Sequence, residues 1–251
     1  MIDLINLHKS FGTQHVLRGV TLTAEKGETL VVLGRSGSGK SVTLKCIVGL
    51  LEPDQGEVLA EGRKVAAMDH IELNAWRSRV GFLFQGGALY DSMSVLENLI
   101  FPLRTRKGIA EEEKIERARE KLRWVDLERA IEKAPSDLSG GMRKRAALAR
   151  TLMTDPEVIL YDEPTTGLDP VTSNEISQLI ARLKEERGVT GIVVTHDMPC
   201  ARLVADQVAF LHRGKVLVAG KWDEIETCET PLVQFFLATE FTREPLHLDE
   251  E

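Results

Sequence analysis

No stretch of the 251 residues approaches the apolar run of about 18–20 residues that a membrane span requires. The opening, Met1 to Asn6, lacks the basic segment and long apolar core of a secretory leader, so the expectation is a chain that is not exported. Cysteine is scarce. Cys46, Cys200 and Cys228 are scattered and odd in number, with no paired spacing; this argues against a disulfide frame or a zinc site and points to a reducing compartment. Nor is there an excess of positive charge. With 32 Lys and Arg against 39 Asp and Glu, the formal net charge of −7 argues against nucleic acid as the main partner. What is present, 43% hydrophobic and 28% charged residues, suits a soluble globular chain long enough for one sizeable α/β core, with or without an inserted subdomain.

The stretch around which the chain is organised is Gly34, Arg35, Ser36, Gly37, Ser38, Gly39, Lys40 and Ser41. It follows the apolar run Thr29 to Leu33, which predicts a strand, and leads through Val42 into a segment to Gly49 that predicts a helix. Strand, glycine loop and helix together make this a phosphate-binding loop rather than a plain glycine turn. The glycines let successive N–H groups turn inward on phosphate oxygens, and the helix N-terminus adds partial positive charge. Lys40 can reach the β- and γ-phosphates of a nucleotide, and the Ser41 hydroxyl can hold Mg²⁺.

Upstream, Ile2 to Ile5 and Val16 to Leu22 predict short strands around a turn at Gly12-Thr13. Phe11 beside that turn can stack on a base, with Val16 as a second contact, or simply pack in a small sheet; spacing alone leaves both open. Val58 to Met68 predicts short strands interrupted at Gly62-Arg63, and Val80 to Gln85 a buried strand with a polar end. Ser94 with Glu97 forms a capping box that opens a helix, curtailed by Pro102. Between 111 and 128, Ile115, Ala118, Leu122 and Val125 recur at helical spacing, with Glu113 and Arg117 placed to pair on the solvent side. Arg143 to Met153 predicts a helix that starts immediately after the glycines of Leu138 to Met142.

Val158 to Asp162 is an apolar strand ending in Asp162-Glu163, Val171 to Arg187 a helix stopped by Gly188, and Gly191 to Asp197 another strand with a polar tip at His196. Val208 to Leu211 and Lys215 to Ala219 form a hairpin about Arg213-Gly214. Strand–helix alternation implies a mainly parallel sheet, whose ligands gather at the strand carboxyl ends. Gln85, Asp162, Glu163 and His196 therefore converge on the phosphate loop. Asp162 can support Mg²⁺, Glu163 can polarise an attacking water, His196 can contact the γ-phosphate, and Gln85 can touch metal and water. A lone Asp-Glu or a lone His reads more simply as a cap or a satisfied side chain; their joint placement is what favours a site.

Phe11, Gly34 to Ser41, Gln85, Leu138 to Met142, Tyr161 to Pro164, Gly167 to Pro170 and His196 occur in the order of the motifs of ABC-transporter ATPase subunits, and residues 1–238 resemble that family. The resemblance implies a P-loop NTPase of α/β class: a RecA-like core, an antiparallel β subdomain, an inserted α-helical subdomain at about 86–144, and a tail from 239 to 251. It also implies ATP and Mg²⁺ as ligands, with Glu163, His196 and Gln85 in catalysis and Ser41, Gln85 and Asp162 around the metal. Phe11 and Val16 would face the adenine and Gly34 to Val42 the phosphates. Ser139, Gly140 and Gly141 would bind the γ-phosphate held by a second ATPase subunit in a head-to-tail homodimer. A membrane-spanning permease would be the further partner, and the cytoplasmic face of the inner membrane the location.

The run Phe84 to Val95, with Met142 where most of the family has glutamine, resembles more narrowly the ATPases of MCE-type (Mla-like) phospholipid transport systems, which implies an extracytoplasmic lipid-binding MCE-type partner. Family members dock a coupling helix of the permease near this run, so Leu89, Tyr90 and Met93 serve either docking or core packing. The competing functions are import of amino acids or another small solute, and a soluble ABC protein acting on ribosomes or DNA. The latter usually carries tandem cassettes or a long coiled-coil insertion, and neither is present. Beyond residue 238, Phe241, Leu246 and Leu248 are more apolar than a solvated tail needs, and 241–248 is expected to pack on the partner subunit or a regulator.

Overall fold

A computed structural model describes residues 1–104, 106 and 108–239, so the expectation for the tail from 240 onward lies outside the described residues. Two sheets organise the chain. The first is antiparallel, in the order β2 (Gln14–Ala24), β1 (Ile2–Phe11), β4 (Gln55–Ala60), β5 (Arg63–Lys64). The second runs β10 (Lys215–Gly220), β9 (Gln207–His212), β3 (Thr29–Leu33), β8 (Thr190–Thr195), β7 (Val158–Asp162), β6 (Val80–Leu83), parallel throughout except for β10.

The central strands read as unbroken apolar runs because both faces of the second sheet are buried. On β3, Val31 and Leu33 join one core while Leu30 and Val32 join the other. β7 divides likewise, Ile159 and Tyr161 against Val158 and Leu160. One core packs the sheet on helices α5 (Gly140–Leu152), α6 (Pro170–Arg187) and α7 (Met198–Val204); the other packs it on α1 (Lys40–Ile47) and the antiparallel sheet. In β1 the inward series Ile2, Leu4, Leu7 changes parity at Asn6, whose φ of 50° makes a bulge that keeps all three side chains inside.

Between β6 and β7 the chain leaves the sheet for α3 (Val95–Ile100), α4 (Glu111–Trp124) and the start of α5. The Ser94–Glu97 capping box forms as the sequence predicts, and the chain tightens into a 3₁₀ turn at Phe101–Leu103 around Pro102. On α4 the predicted face is buried at Ala118, Leu122 and Val125, and Arg117 meets Glu113 at 2.9 Å. The helix stops at Trp124, short of the expected Glu128. α5 runs on to Leu152 beneath the sheet, so one helix bridges the insertion and the core.

Three local readings change. Residues 65–67 form a 3₁₀ turn instead of strand. β6 ends at Leu83, and Phe84 and Gln85 already lie in the loop beyond it. A helix, α2 (His70–Arg79), fills a segment the sequence reading leaves blank. Asp69 caps it, accepting from Ile71 N and Glu72 N at 2.8 Å, and Glu72 returns the bond to complete a capping box.

Candidate functional site

The carboxyl ends of β3, β7 and β8 lie side by side, and the loop after β3 curls over them into α1. Glycine is required where the loop is closest to its neighbours. A Cβ on Gly34 would lie 2.3 Å from the Leu211 carbonyl oxygen, and one on Gly39, at φ +108°, 2.7 Å from Leu17 Cδ2. The hairpin turn after β9 supports the loop from below, with Gly214 N–H donating to the Ser38 carbonyl at 3.2 Å. Arg35, Ser36 and Gly37 form its exposed crown, while Val42 is half-buried on α1. Val16 lies beside the loop, its carbonyl 3.0 Å from the Cβ position of Gly39. Phe11 ends β1 and is 48% exposed, with Lys9 Nζ 5.8 Å from its ring centroid.

Beneath the crown, Lys40 Nζ donates to the carbonyls of Gly34 at 2.6 Å and Arg35 at 3.1 Å, and lies 3.2 Å from Glu163 Oε1. Ser41 Oγ donates to Asp162 Oδ1 at 2.7 Å, joining the two expected Mg²⁺-supporting side chains. Hydroxyl and carboxylate oxygens are the hard donors Mg²⁺ takes. Ser38 Oγ is buried with no hydrogen-bond partner, at the centre of a loop whose helix end favours anions. An orphaned hydroxyl in the cradle, a buried lysine and a paired serine and carboxylate fit a nucleoside triphosphate with its metal.

Glu163 is fixed from several sides. Its Oε2 accepts from Thr166 Oγ1 at 3.1 Å and lies 2.8 Å from His196 Nδ1, with Thr195 Oγ1 at 3.4 Å. Its backbone sits at φ 50°, a left-handed conformation uncommon for a side chain of this size, while its N–H donates to the Val194 carbonyl at 2.9 Å. His196 is otherwise exposed at the strand tip. Gln85 is exposed on the loop after β6, so Asp162, Glu163, His196, Lys40 and Ser41 form one bonded cluster while Gln85 is held beside it by its backbone.

The residue that holds it is Lys144, which the sequence reading missed. Its Nζ, in a side chain 6% exposed, donates to the Gln85 carbonyl and, at 3.1 Å, to the Glu163 carbonyl. Burial pushes its pKa down, with Asp162 and Glu163 opposing. The signal was helical spacing: Gly141, Lys144 and Leu148 share the buried stripe of α5, inside a basic run that reads as solvated. Arg150 from the same helix donates to the carbonyls of Ala88 at 2.6 Å and Gly87 at 2.8 Å. Asn98, fully buried on α3, secures the turn from Tyr90 to Ser94. Of the three residues whose use is left open, Leu89 packs on the core and Met93 is half-buried, whereas Tyr90 is 44% exposed; Phe84 beside them is 37% exposed. Burial pushes the Cys46 thiol up to about 11 and the Cys200 thiol up to about 12.

Ser139, Gly140 and Gly141 form the start of α5. Ser139 is exposed and caps α5, accepting from Met142 N at 3.3 Å. A Cβ on Gly141 would lie 2.4 Å from Thr172 Cγ2, so glycine lets α5 close on the start of α6.

A nucleotide-binding cassette is the class of site these features define, and the chain belongs to the ABC transporter family, whose model matches residues 17–166. The family binds ATP with Mg²⁺. Over 236 residues the chain is 42% identical to the probable ribonucleotide transport ATP-binding protein mkl of Mycobacterium tuberculosis, covering 94% of this chain and 66% of that one. It is 40% identical to the chloroplastic protein TRIGALACTOSYLDIACYLGLYCEROL 3 of Arabidopsis thaliana, covering 94% of this chain and 73% of that one. The solved dimeric ATP-binding cassette MJ0796 in a post-hydrolysis state with ADP and Pi is 38% identical, with a TM-score of 0.81 over 88% of this chain and 98% of its own. The chain thus spans just under two thirds of the mkl relative.

Proposed function

We propose that the chain is the ATP-hydrolysing subunit of a transporter that moves phospholipid between membranes through a membrane-spanning permease. The observation that carries the hydrolytic part is the bonded cluster Ser41–Asp162 and Lys40–Glu163–His196 at one sheet edge. Gly34 to Val42 cradle the phosphates, Lys40 supplies their counter-charge, and Phe11 and Val16 meet the adenine. Mg²⁺, when bound, neutralises charge on the phosphates, held by Ser41 and Asp162 with Gln85. Glu163 polarises the attacking water; His196 orients that carboxylate and reaches the γ-phosphate. Residues 1–238 serve as the ATPase unit, with 86–144 as its helical insertion.

Ser139, Gly140 and Gly141 complete the γ-phosphate site of a second copy, so two sites form in a head-to-tail homodimer. The dimeric cassette MJ0796 supports that arrangement. The exposed Phe84 and Tyr90 support a reading in which their loop receives the permease and the chain works on the cytoplasmic face of the inner membrane. The lipid reading, with an extracytoplasmic MCE-type partner, rests on the run Phe84 to Val95, on Met142, and on the relative named for a galactolipid. The second reading is uptake of a small polar solute, which the ribonucleotide in the name of the mkl relative favours.

Co-purifying the chain with its membrane subunit and identifying the bound lipid or solute separates these readings. In that complex Glu163→Gln should still bind ATP yet lose about 10²–10⁴ in turnover, the usual value of a catalytic base. Near-normal turnover would remove Glu163 from that role.

A further inference from the structure

α5 reaches both the turn at Glu163 and the loop after β6. Its first turn is capped by Ser139, its middle carries Lys144, and Arg150 lies nearly two turns further on. Lys144 is the one side chain described here that bonds both to the segment carrying Gln85 and to the segment carrying Glu163. These two segments differ in kind. Glu163 ends a central strand buried on both sides, whereas Gln85 opens an exposed loop fastened to α5 by Arg150 at the carbonyls of Gly87 and Ala88. The Lys144 ammonium has three donors and the side chain's stem is packed in the interior, so with both carbonyls bonded a shift of one is felt at the other. The Glu163 carbonyl belongs to a residue in the left-handed region, a conformation that persists only when neighbours hold it.

We propose that Lys144 is a positioning residue for hydrolysis, setting the Glu163 carboxylate according to the placement of the Gln85 loop. The idea rests on the assignment of Glu163 above. Lys144 touches neither nucleotide nor water; through the Glu163 carbonyl it fixes the backbone from which that carboxylate is aimed. A displacement of the loop of residues 84–93 then reaches Glu163 through one side chain, with no rearrangement of the phosphate loop. Misplacement by about 1 Å at a reacting centre can cost about 10²-fold in rate, so a small shift suffices.

The test uses the full chain with MgATP, measuring kcat and KM, the affinity and stoichiometry of a trinitrophenyl-ATP probe, and thermal midpoint. Lys144→Met, which keeps the stem and removes the donors, should lower kcat about tenfold or more. KM, probe affinity and one probe per chain should hold within about twofold, because Lys40 and Ser41 are untouched. Lys144→Arg, which can span two carbonyls, should restore most of the rate. If Lys144→Met does not fold, Lys144→Gln keeps an amide donor too short to bridge both carbonyls and should show the same split. Unchanged kcat overturns the proposal. So does a loss matched by an equal loss of probe sites, or a loss that Lys144→Arg fails to rescue, since each marks a purely structural lysine. Glu163→Gln run alongside separates the two ideas: if it hydrolyses normally the assignment of Glu163 fails, and if it alone is impaired only the role of Lys144 fails.

Discussion

Asn98 offers the sharpest quantitative test of how the loop after β6 is built. Its Oδ1 accepts from Tyr90 N at 2.7 Å, and its Nδ2 donates to the carbonyls of Tyr90 at 3.0 Å, Met93 at 3.2 Å and Ser94 at 2.9 Å. In Asn98→Ala the Tyr90 carbonyl still accepts from Met93 N and the Ser94 carbonyl from residue 98 N, so two groups lose their partner: Tyr90 N–H and the Met93 carbonyl. An unsatisfied buried group costs about 1–3 kcal/mol, and since neither residue is fully buried the low end applies, giving about 2–3 kcal/mol with the small cavity included. Asn98→Asp has the same shape but should cost more at pH 7, because it turns a carboxylate toward three carbonyl oxygens. Burial would raise that carboxyl's pKa, so its penalty should be small below about pH 4 and grow as pH rises toward the folded-state value. Guanidinium denaturation at pH 5 and pH 7 measures both variants, and ATP affinity should stay unchanged. An alanine variant within about 0.5 kcal/mol of the parent, or an aspartate variant as stable as alanine at pH 7, would refute the reasoning.

Two further outcomes test the dimer and the join between the sheets. Ser139→Arg should bind ATP normally but fail to close into the nucleotide-driven dimer, read by crosslinking; undiminished closure would contradict the head-to-tail arrangement. Arg79 links Glu157, through Nε at 2.8 Å and Nη2 at 2.7 Å, to Glu61 at 2.6 and 2.9 Å, and holds both carboxyls below the usual range. Arg79→Met should cost about 1 kcal/mol at pH 7, discounted for exposure. Lowered carboxylates stabilise above their unfolded values near 4.5, so the difference should fade as pH drops through the folded-state values; a pH-independent difference would contradict this.

The parts legible in the sequence are those written as periodicity or as backbone punctuation. The strands Thr29–Leu33 and Val158–Asp162, the stop at Gly188 and the cap at Ser94 all form where their residues predict. Helix α2 escaped because it has almost no apolar stripe: Trp76 is its one buried residue, and Ile71 is 81% exposed. Only the Asp69–Glu72 box announces it. Lys144 and Asn98 escaped for another reason. Each works by bonding to carbonyls of distant or neighbouring backbone, and a carbonyl has no letter in the sequence. The basic run Arg143 to Arg145 reads as a wet helix face, although its middle member is buried.

The left-handed backbone at Glu163 sets two pressures on stability against each other. Holding a glutamate there costs about 1 kcal/mol or more that glycine or asparagine would not. Relief of that strain draws a library ranked by resistance to heat toward Gly or Asn, while the ion pair with buried Lys40, whose loss leaves an uncompensated charge, draws it back.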